Sequence, residues 1–358
     1  MAIQFSKLKV INVIKETFDT TSISFFIPDE LKTTFDYKHG QYLTIKIDLN
    51  GESQRRAYSI CTSPLEDKPI TITVKKQEEG YVSAYLADKV NIGDFLDVIP
   101  PLGHFTIELN ESNERNFVLF AGGSGVTPLM SILKTALIKE PKTIVHLVYA
   151  NKTKDDIIFS NELNELKNKY NDRFNATHIL TREENWDGLK NHLTIDGVKT
   201  LVKELLNDNL ENSEYFMCGP STMMKNVQEG LAELGINKSN IHKESFTAPK
   251  EENETNEENE MRPELTVRTI KLKLYGEIHE IQVQPDENIT VAAMRKALDP
   301  PFSCQIGACS TCRSKVVSGR VMMDENEALT ENEIKNGYVL ACQAHPLSDD
   351  VYIDMDDN

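Results

Sequence analysis

The sequence predicts a multidomain chain: an antiparallel β-barrel, then a doubly wound α/β unit, then, beyond a polar tether, a small cysteine-bearing unit. Three observations carry that expectation. Short β-branched runs separated by turn signals fill roughly the first hundred residues. Strand and helix patterns alternate from Asn116 onward. Three of the six cysteines crowd into PPFSCQIGACSTCRSK, Pro300–Lys315. A length of 358 residues is itself long for one domain.

The barrel expectation rests on TSISFFIP, QYLTIKIDL, ITITVKK and DFLDVIP, interrupted by one helical stretch, VSAYLADKV. The opening MAIQFSKLKVINV alternates like a further strand. In the second unit, strand NFVLFA leads to a helix from Pro128; strands TIVHLVYA, ATHILT and EYFMC follow, each with a helix after it. That alternation predicts a parallel sheet. The stretch APKEENETNEENEMRPE, Ala248–Glu264, has nothing that could bury a face and reads as a solvated linker. Extended, about 15 residues reach at most roughly 50 Å. After it come a hairpin-like pair, TIKLKLYG and EIHEIQVQP, a helix TVAAMRKAL and the cysteine loop. The expected boundaries are therefore 1–110, 111–248, a linker at 249–264, and 265–358.

Composition narrows the function. Lys and Arg number 39 against 56 Asp and Glu, a net charge of −17, which repels nucleic acid and anionic lipid. Solubility is the plain consequence, and docking to a basic partner is the alternative. No apolar run approaches the length of a membrane span, and the N-terminus lacks a signal peptide's layout. A cytoplasmic location is expected, where disulfides are disfavoured and clustered cysteines read as metal or redox ligands.

The cysteine spacing is Cys304-x4-Cys309-x2-Cys312, with Cys342 after a longer gap in YVLACQAHP. Four thiolates at this spacing hold a [2Fe–2S] cluster in plant-type ferredoxins. Gly307, Ala308 and Ser310 are small enough for backbone N–H groups to approach the sulfides. Structural zinc also uses four cysteines but usually pairs them as two close CxxC-like units; here the fourth stands alone, which favours the cluster.

Further motifs carry chemistry. In RRAYSIC, Arg56 can grip a pyrophosphate, Tyr58 can pack on an aromatic ring and the Ser59 hydroxyl can reach a ring nitrogen. In EGYVSAYL, Gly80 and Ser83 stand at a helix start, where free N–H groups bind anions. AGGSGVTP places Gly122, Gly123, Ser124 and Gly125 between a strand and a helix, with Thr127 as a cap and Pro128 in the first turn. That is a phosphate-cradling context. Cys218, at the end of the fourth strand, lies at the sheet's carboxyl edge, where such folds bind ligands. Cys61 reads as plain core. The second strand ends in YANK with no carboxylate at its tip and the third in Thr181-Arg182, so Arg182 is expected to pair with the 2′-phosphate of NADPH.

Together these residues resemble the ferredoxin–NADP reductase family carrying a C-terminal plant-type ferredoxin. Arg56, Tyr58 and Ser59 match the flavin motif, Gly80–Ser83 the pyrophosphate helix, Gly122–Pro128 the nicotinamide-nucleotide loop, and Cys218, Gly219 and Pro220 the catalytic-edge motif. SGRV at Ser318–Val321 and GYVLAC at Gly337–Cys342 support the ferredoxin part. The resemblance implies a β-grasp (α+β) third domain, FAD as the flavin with FMN as the alternative, and flavin contacts that include Val74, Lys75, Val82 and Phe246. It also implies a nucleotide contact at Met223. One departure is His39 in HGQY, where Pro is usual; it is expected to loosen a turn.

The implied activity is NADPH (or NADH) to FAD to [2Fe–2S] to an outside acceptor, because a flavin exchanges hydride for single electrons. Ser59 is expected near the flavin nitrogen that receives hydride, Cys218 beside the nicotinamide, and Glu244 in KESF as a proton relay. The order of domains is that of reductase components of bacterial oxygenases, with a di-iron oxygenase among the expected acceptors. Two other readings stay open: a stand-alone NAD(P)H oxidase or quinone reductase, and a non-enzymatic cluster-based redox sensor.

Overall fold

The computed structural model describes residues 4–49, 51–66, 68–207, 209–246 and 263–357. Apart from its last two positions, the expected linker at 249–264 lies outside them. The chain packs as two units: Ser6–Gln54 with Tyr58–Phe246, and Met1–Phe5, Arg55–Ala57 and Thr247–Asn358. Among the described residues no helix is long and apolar enough to cross a membrane.

The N-terminal strands β1 (Ser6–Thr17), β2 (Thr20–Phe26), β3 (Tyr42–Leu49), β4 (Glu52–Ser59), β5 (Thr71–Lys75) and β6 (Phe95–Leu102) form the antiparallel half-barrel, ordered β4-β3-β6-β1-β2-β5. Alternation drives it: Leu43, Ile45 and Ile47 of β3 and Leu8 and Val10 of β1 face one apolar core. Between β2 and β5 the facing pairs are hydroxyls, Ser22 with Thr73 at 2.8 Å and Ser24 with Thr71 at 2.9 Å, so these buried polar groups satisfy each other across the strands. Helix α1 (Tyr81–Asp88) plugs the core with Val82 and Leu86.

The parallel sheet has the order β10-β9-β8-β7-β11-β12. Its strands are β7 (Asn116–Gly122), β8 (Ile144–Asn151), β9 (Phe174–Leu180), β10 (Leu189–Lys190), β11 (Ser213–Cys218) and β12 (Ile241–Glu244). Helices α2 (Val126–Lys139) and α3 (Ser160–Tyr170) cover one face, and α4 (Ile195–Leu206) and α5 (Ser221–Glu233) the other. The chain winds outward from β7 in both directions, with β8 on one side and β11 on the other. The carboxyl ends of β7 and β11 therefore flank the topological switch point, where open α/β sheets bind ligands.

The barrel and the parallel sheet are joined by buried hydroxyls. Ser131 donates to the Thr62 carbonyl at 2.6 Å, and Ser63 pairs with Thr135 at 2.9 Å. The turn at His39 is tightly held, which corrects the expectation of looseness. His39 Nε2 accepts from the Ile107 N–H at 3.2 Å. Next to it Gly40 has φ +78°, and a Cβ there would fall 1.9 Å from the Phe105 carbonyl oxygen. Histidine replaces proline's stiffness with a hydrogen bond.

In the C-terminal unit, β13 (Arg268–Leu274) and β14 (Glu277–Val283) form the expected hairpin. Its two turn residues, Tyr275 and Gly276, have φ of +53° and +80°, the mirror-image turn that suits strand twist. The sheet is completed in the order β14-β13-β19-β15-β17 by β15 (Arg313–Ser318), β17 (Tyr338–Leu340) and β19 (Tyr352–Asp354). The small pair β16 (Val321–Met323) and β18 (Ala344–Pro346) stands beside it. Helix α6 (Ile289–Arg295), capped by Asn288, buries Ile289, Ala292 and Ala293 against the sheet core. A sheet gripping a helix in this way is the expected β-grasp.

Candidate functional site: a flavin strand, a nucleotide edge and a four-thiol loop

On β4 the side chains alternate, so Arg56 is exposed while Ser59 is buried. The Arg56 guanidinium donates to the Arg55 carbonyl at 2.7 Å. Tyr58 packs half-buried on the barrel core. Gly80 is the N-cap of α1 without a side-chain cap. Ser83 Oγ lies inside the turn, donating to the Gly80 carbonyl at 3.0 Å and accepting from Gln77 N–H at 3.1 Å. Val74 and Val82 both belong to the barrel core, so only their backbone is placed to meet a ligand. Lys75 pairs with Asp19 at 3.4 Å, and Phe246 is exposed past β12.

Ser59, Cys218 and Glu244, far apart in sequence, come together. Ser59 Oγ donates to Glu244 Oε2 at 3.4 Å, and Cys218 stands opposite Glu244 in the β11–β12 register. Burial, then the Glu244 charge, pushes the Cys218 thiol well above the ordinary range. The Cys218 thiol is therefore held in its neutral form. Burial pushes the Cys61 thiol up to about 11, and its Sγ donates to the Thr71 carbonyl, as a core residue should.

The glycines of the nucleotide loop serve two purposes. A Cβ at Gly125 would lie 2.1 Å from the Cys218 carbonyl oxygen, and one at Gly122 would lie 2.5 Å from Pro220 Cδ. A Cβ at Gly219 would lie 2.7 Å from Met223 Cε. These three let the turns after β7 and β11 touch. Gly123 differs: its φ is +52°, and open space lies where its Cβ would be, which leaves a ligand room to approach the backbone. Thr127 corrects the expected cap. α2 begins at Val126 with Gly125 at its N-cap, and the Thr127 hydroxyl donates to the Ser124 carbonyl at 3.0 Å from inside the helix. Pro128 is buried in that first turn.

At the tips of β8 and β9, Thr181 and Arg182 donate their backbone N–H groups to the carbonyls of Asn151 and Lys152, at 3.0 and 2.8 Å. This sets Lys152 beside Arg182, and neither side chain is buried. In the sequence Lys152 marks only the absence of a carboxylate in YANK; its pairing with Arg182 depends on strand register.

The four cysteine thiols form one connected group, since Cys304 meets Cys309 and Cys342, and Cys342 meets Cys312. Contact with Cys304 and then burial push the Cys309 thiol well above the usual range. Four thiols in mutual contact fit thiolate ligation of a cluster. The loop also turns its amides inward: Ile306 N–H donates to Cys304 Sγ, and Cys304 N–H to Cys309 Sγ, each at 3.5 Å. Gln305 and Gly307 have φ of +59° and +72° to allow this.

Family models agree with this division. An oxidoreductase FAD-binding domain matches residues 7–107, an oxidoreductase NAD-binding domain 119–229, and a 2Fe-2S iron-sulfur cluster binding domain 272–347. One component of the 1,2-phenylacetyl-CoA epoxidase of Escherichia coli is 36% identical over 98% of each chain. The chain belongs to the ferredoxin–NADP reductase family with a C-terminal [2Fe–2S] domain. The ferredoxin reductase component of the 3-ketosteroid-9-alpha-monooxygenase of Rhodococcus rhodochrous is also 36% identical to this reductase, over 97% of this chain and 96% of its own. Phthalate dioxygenase reductase has the same fold from end to end, covering 98% of each chain with a TM-score of 0.59 at 23% identity. This reductase is thus an oxidoreductase that passes electrons from a pyridine nucleotide through FAD to a [2Fe–2S] centre.

Proposed function

We propose that this reductase draws on NADPH and delivers single electrons to an oxygenase, with the phenylacetyl-CoA epoxidase as the first candidate partner. The observation that carries the reading is the meeting of Ser59, Glu244 and Cys218 at the carboxyl edge of the nucleotide sheet. Bound FAD supplies the exchange between a two-electron donor and a one-electron carrier. Around it, Arg56 and the α1 N-terminus hold the pyrophosphate, Tyr58 packs on the ring system, and Ser59 offers its hydroxyl to the ring edge. Gly123, Ser124, Gly219 and Pro220 form the walls of the nucleotide loop, with Met223 behind them. Cys218 keeps the nicotinamide side dry with a neutral thiol, and Glu244 moves a proton through Oε2 to or from Ser59 Oγ.

Preference for NADPH is supported by Lys152 and Arg182 standing together at the strand tips, where two cations suit a 2′-phosphate. Cys304, Cys309, Cys312 and Cys342 hold the cluster, from which electrons leave. The segment 249–264 acts as a tether that keeps the cluster domain 265–358 at high local concentration near domains 1–110 and 111–248. A di-iron oxygenase is the acceptor type we favour.

Cofactor analysis tests this. Purified chain should carry about two irons and two acid-labile sulfides per polypeptide with one equivalent of FAD, and NADPH should bleach flavin and cluster in turn. Stoichiometric zinc without sulfide, in protein made anaerobically with ample iron, would contradict it.

A further inference from the structure

The C-terminal unit contains a cation that the reading above leaves unused. Arg55, a residue of strand β4 that is only 4% exposed, groups with that unit by its packing. Its guanidinium pairs with the Asp299 carboxylate, donates to the Pro300 carbonyl at 3.0 Å, and lies 4.2 Å from the Phe302 ring centroid and 4.9 Å from that of Phe5. Three of those four partners lie in Asp299–Phe302, the run that leads into Cys304. The same run is held a second time, by the Tyr275 hydroxyl donating to the Asp299 carbonyl at 2.7 Å. A planar guanidinium stacked on aromatic rings and hydrogen-bonded to backbone is a rigid fixture that lysine cannot reproduce.

Charge adds to that grip. Arginine stays protonated in proteins, and this one is buried in a chain of net charge −17. Its counter-ion is unequal: the Asp299 side chain is 64% exposed against 5% for Arg55. Water screens the carboxylate more than the guanidinium. Within this pair the guanidinium is the less screened charge, so the pair makes a positive contribution at the entrance to the cluster loop. Reduction of a [2Fe–2S] cluster adds one negative charge, and a neighbouring cation favours that step.

We propose that Arg55 is a positioning residue for the cluster loop, and that its buried charge raises the reduction potential of the [2Fe–2S] centre. The inference rests on assignment of the cluster to the four cysteines. It gives the doublet Arg55-Arg56 two separate tasks, one toward the cluster and one toward the flavin.

The test is an EPR-monitored redox titration of the full-length holoprotein and its variants. Arg55→Met should shift the cluster's one-electron equilibrium toward the oxidised form by roughly tenfold, which is about 59 mV lower. Arg55→Lys should recover most of that shift while altering the EPR line shape, because charge returns without the fork. Asp299→Asn removes the screened partner and should shift the potential upward by a smaller amount. Opposite signs for Arg55→Met and Asp299→Asn separate an electrostatic role from simple loosening, which would move both the same way. If Arg55→Met fails to fold, the upward shift in Asp299→Asn still decides. Unchanged potentials, or shifts of one sign, overturn the proposal. A parent chain without any [2Fe–2S] signal overturns the cluster assignment and this inference together.

Discussion

Ser59 Oγ donates to Glu244 Oε2 across 3.4 Å, joining the end of the flavin-motif strand to the last strand of the nucleotide sheet. If that contact carries a proton during turnover, Ser59→Ala and Glu244→Gln should each slow flavin reduction by NADPH, by roughly 10- to 1,000-fold, within the range of general acid–base and oriented-donor effects. FAD content should stay near one equivalent. Stopped-flow absorbance of flavin bleaching reads the rate, and an unchanged rate in both variants would remove the pair from the mechanism.

Cys61 and Cys218 should both resist alkylation in the folded chain, because the thiolate is the reactive form. Burial holds Cys61 at about 11 and Cys218 well above the ordinary value. Mass mapping after iodoacetamide at mildly alkaline pH should find both unmodified until denaturant is added. Rapid labelling of Cys218 under native conditions would mean an open, ionised thiol.

His39 should make the fold acid-sensitive. Burial lowers its pKa from 6.5 to about 4. Below pH 6.5 the unfolded chain therefore takes up a proton that the native chain refuses. Stability present above pH 6.5 is lost as pH falls toward 4, by up to on the order of 3 kcal/mol. His39→Gln keeps an acceptor for the Ile107 N–H without titrating. Denaturant melts at neutral pH and about half a unit above the His39 value should show a smaller pH effect in the variant than in the parent; equal effects would exonerate His39.

Arg182→Ala should weaken NADPH binding roughly ten- to a hundredfold, the scale of a lost charge-assisted hydrogen bond, and leave NADH nearly unchanged. Lys152→Ala should do the same to a smaller degree. Equal losses for both nucleotides would show that neither residue meets the 2′-phosphate.

The large features are readable in the sequence because each has a periodic or spaced signal. Runs of β-branched residues between turn signals expose β2, β3 and β5, and the four-cysteine spacing exposes the cluster loop. Other features depend on tertiary contact. The reasons for Gly122 and Gly125 lie in a turn nearly a hundred residues away, and they concern packing more than ligand approach. Thr127 reads as a cap only if the helix starts at Pro128, two residues beyond its start at Val126. His39 reads as a missing proline, since its partner at Ile107 is distant in sequence. Strands β16 to β19 are three residues each, too short to show a period. Arg55 beside Arg56 offers no sign of which arginine does what.

The central claim is that electrons leave through the cluster. A paired assay on one preparation of the chain ending after Phe246 tests it most directly: ferricyanide reduction with NADPH, and product formation with the oxygenase. The account predicts that ferricyanide reduction persists, because flavin feeds it directly, while product formation is lost. Full-length Cys342→Ser should behave in the same way. Undiminished product formation by the truncated chain would contradict the account and make the flavin itself the point of exit.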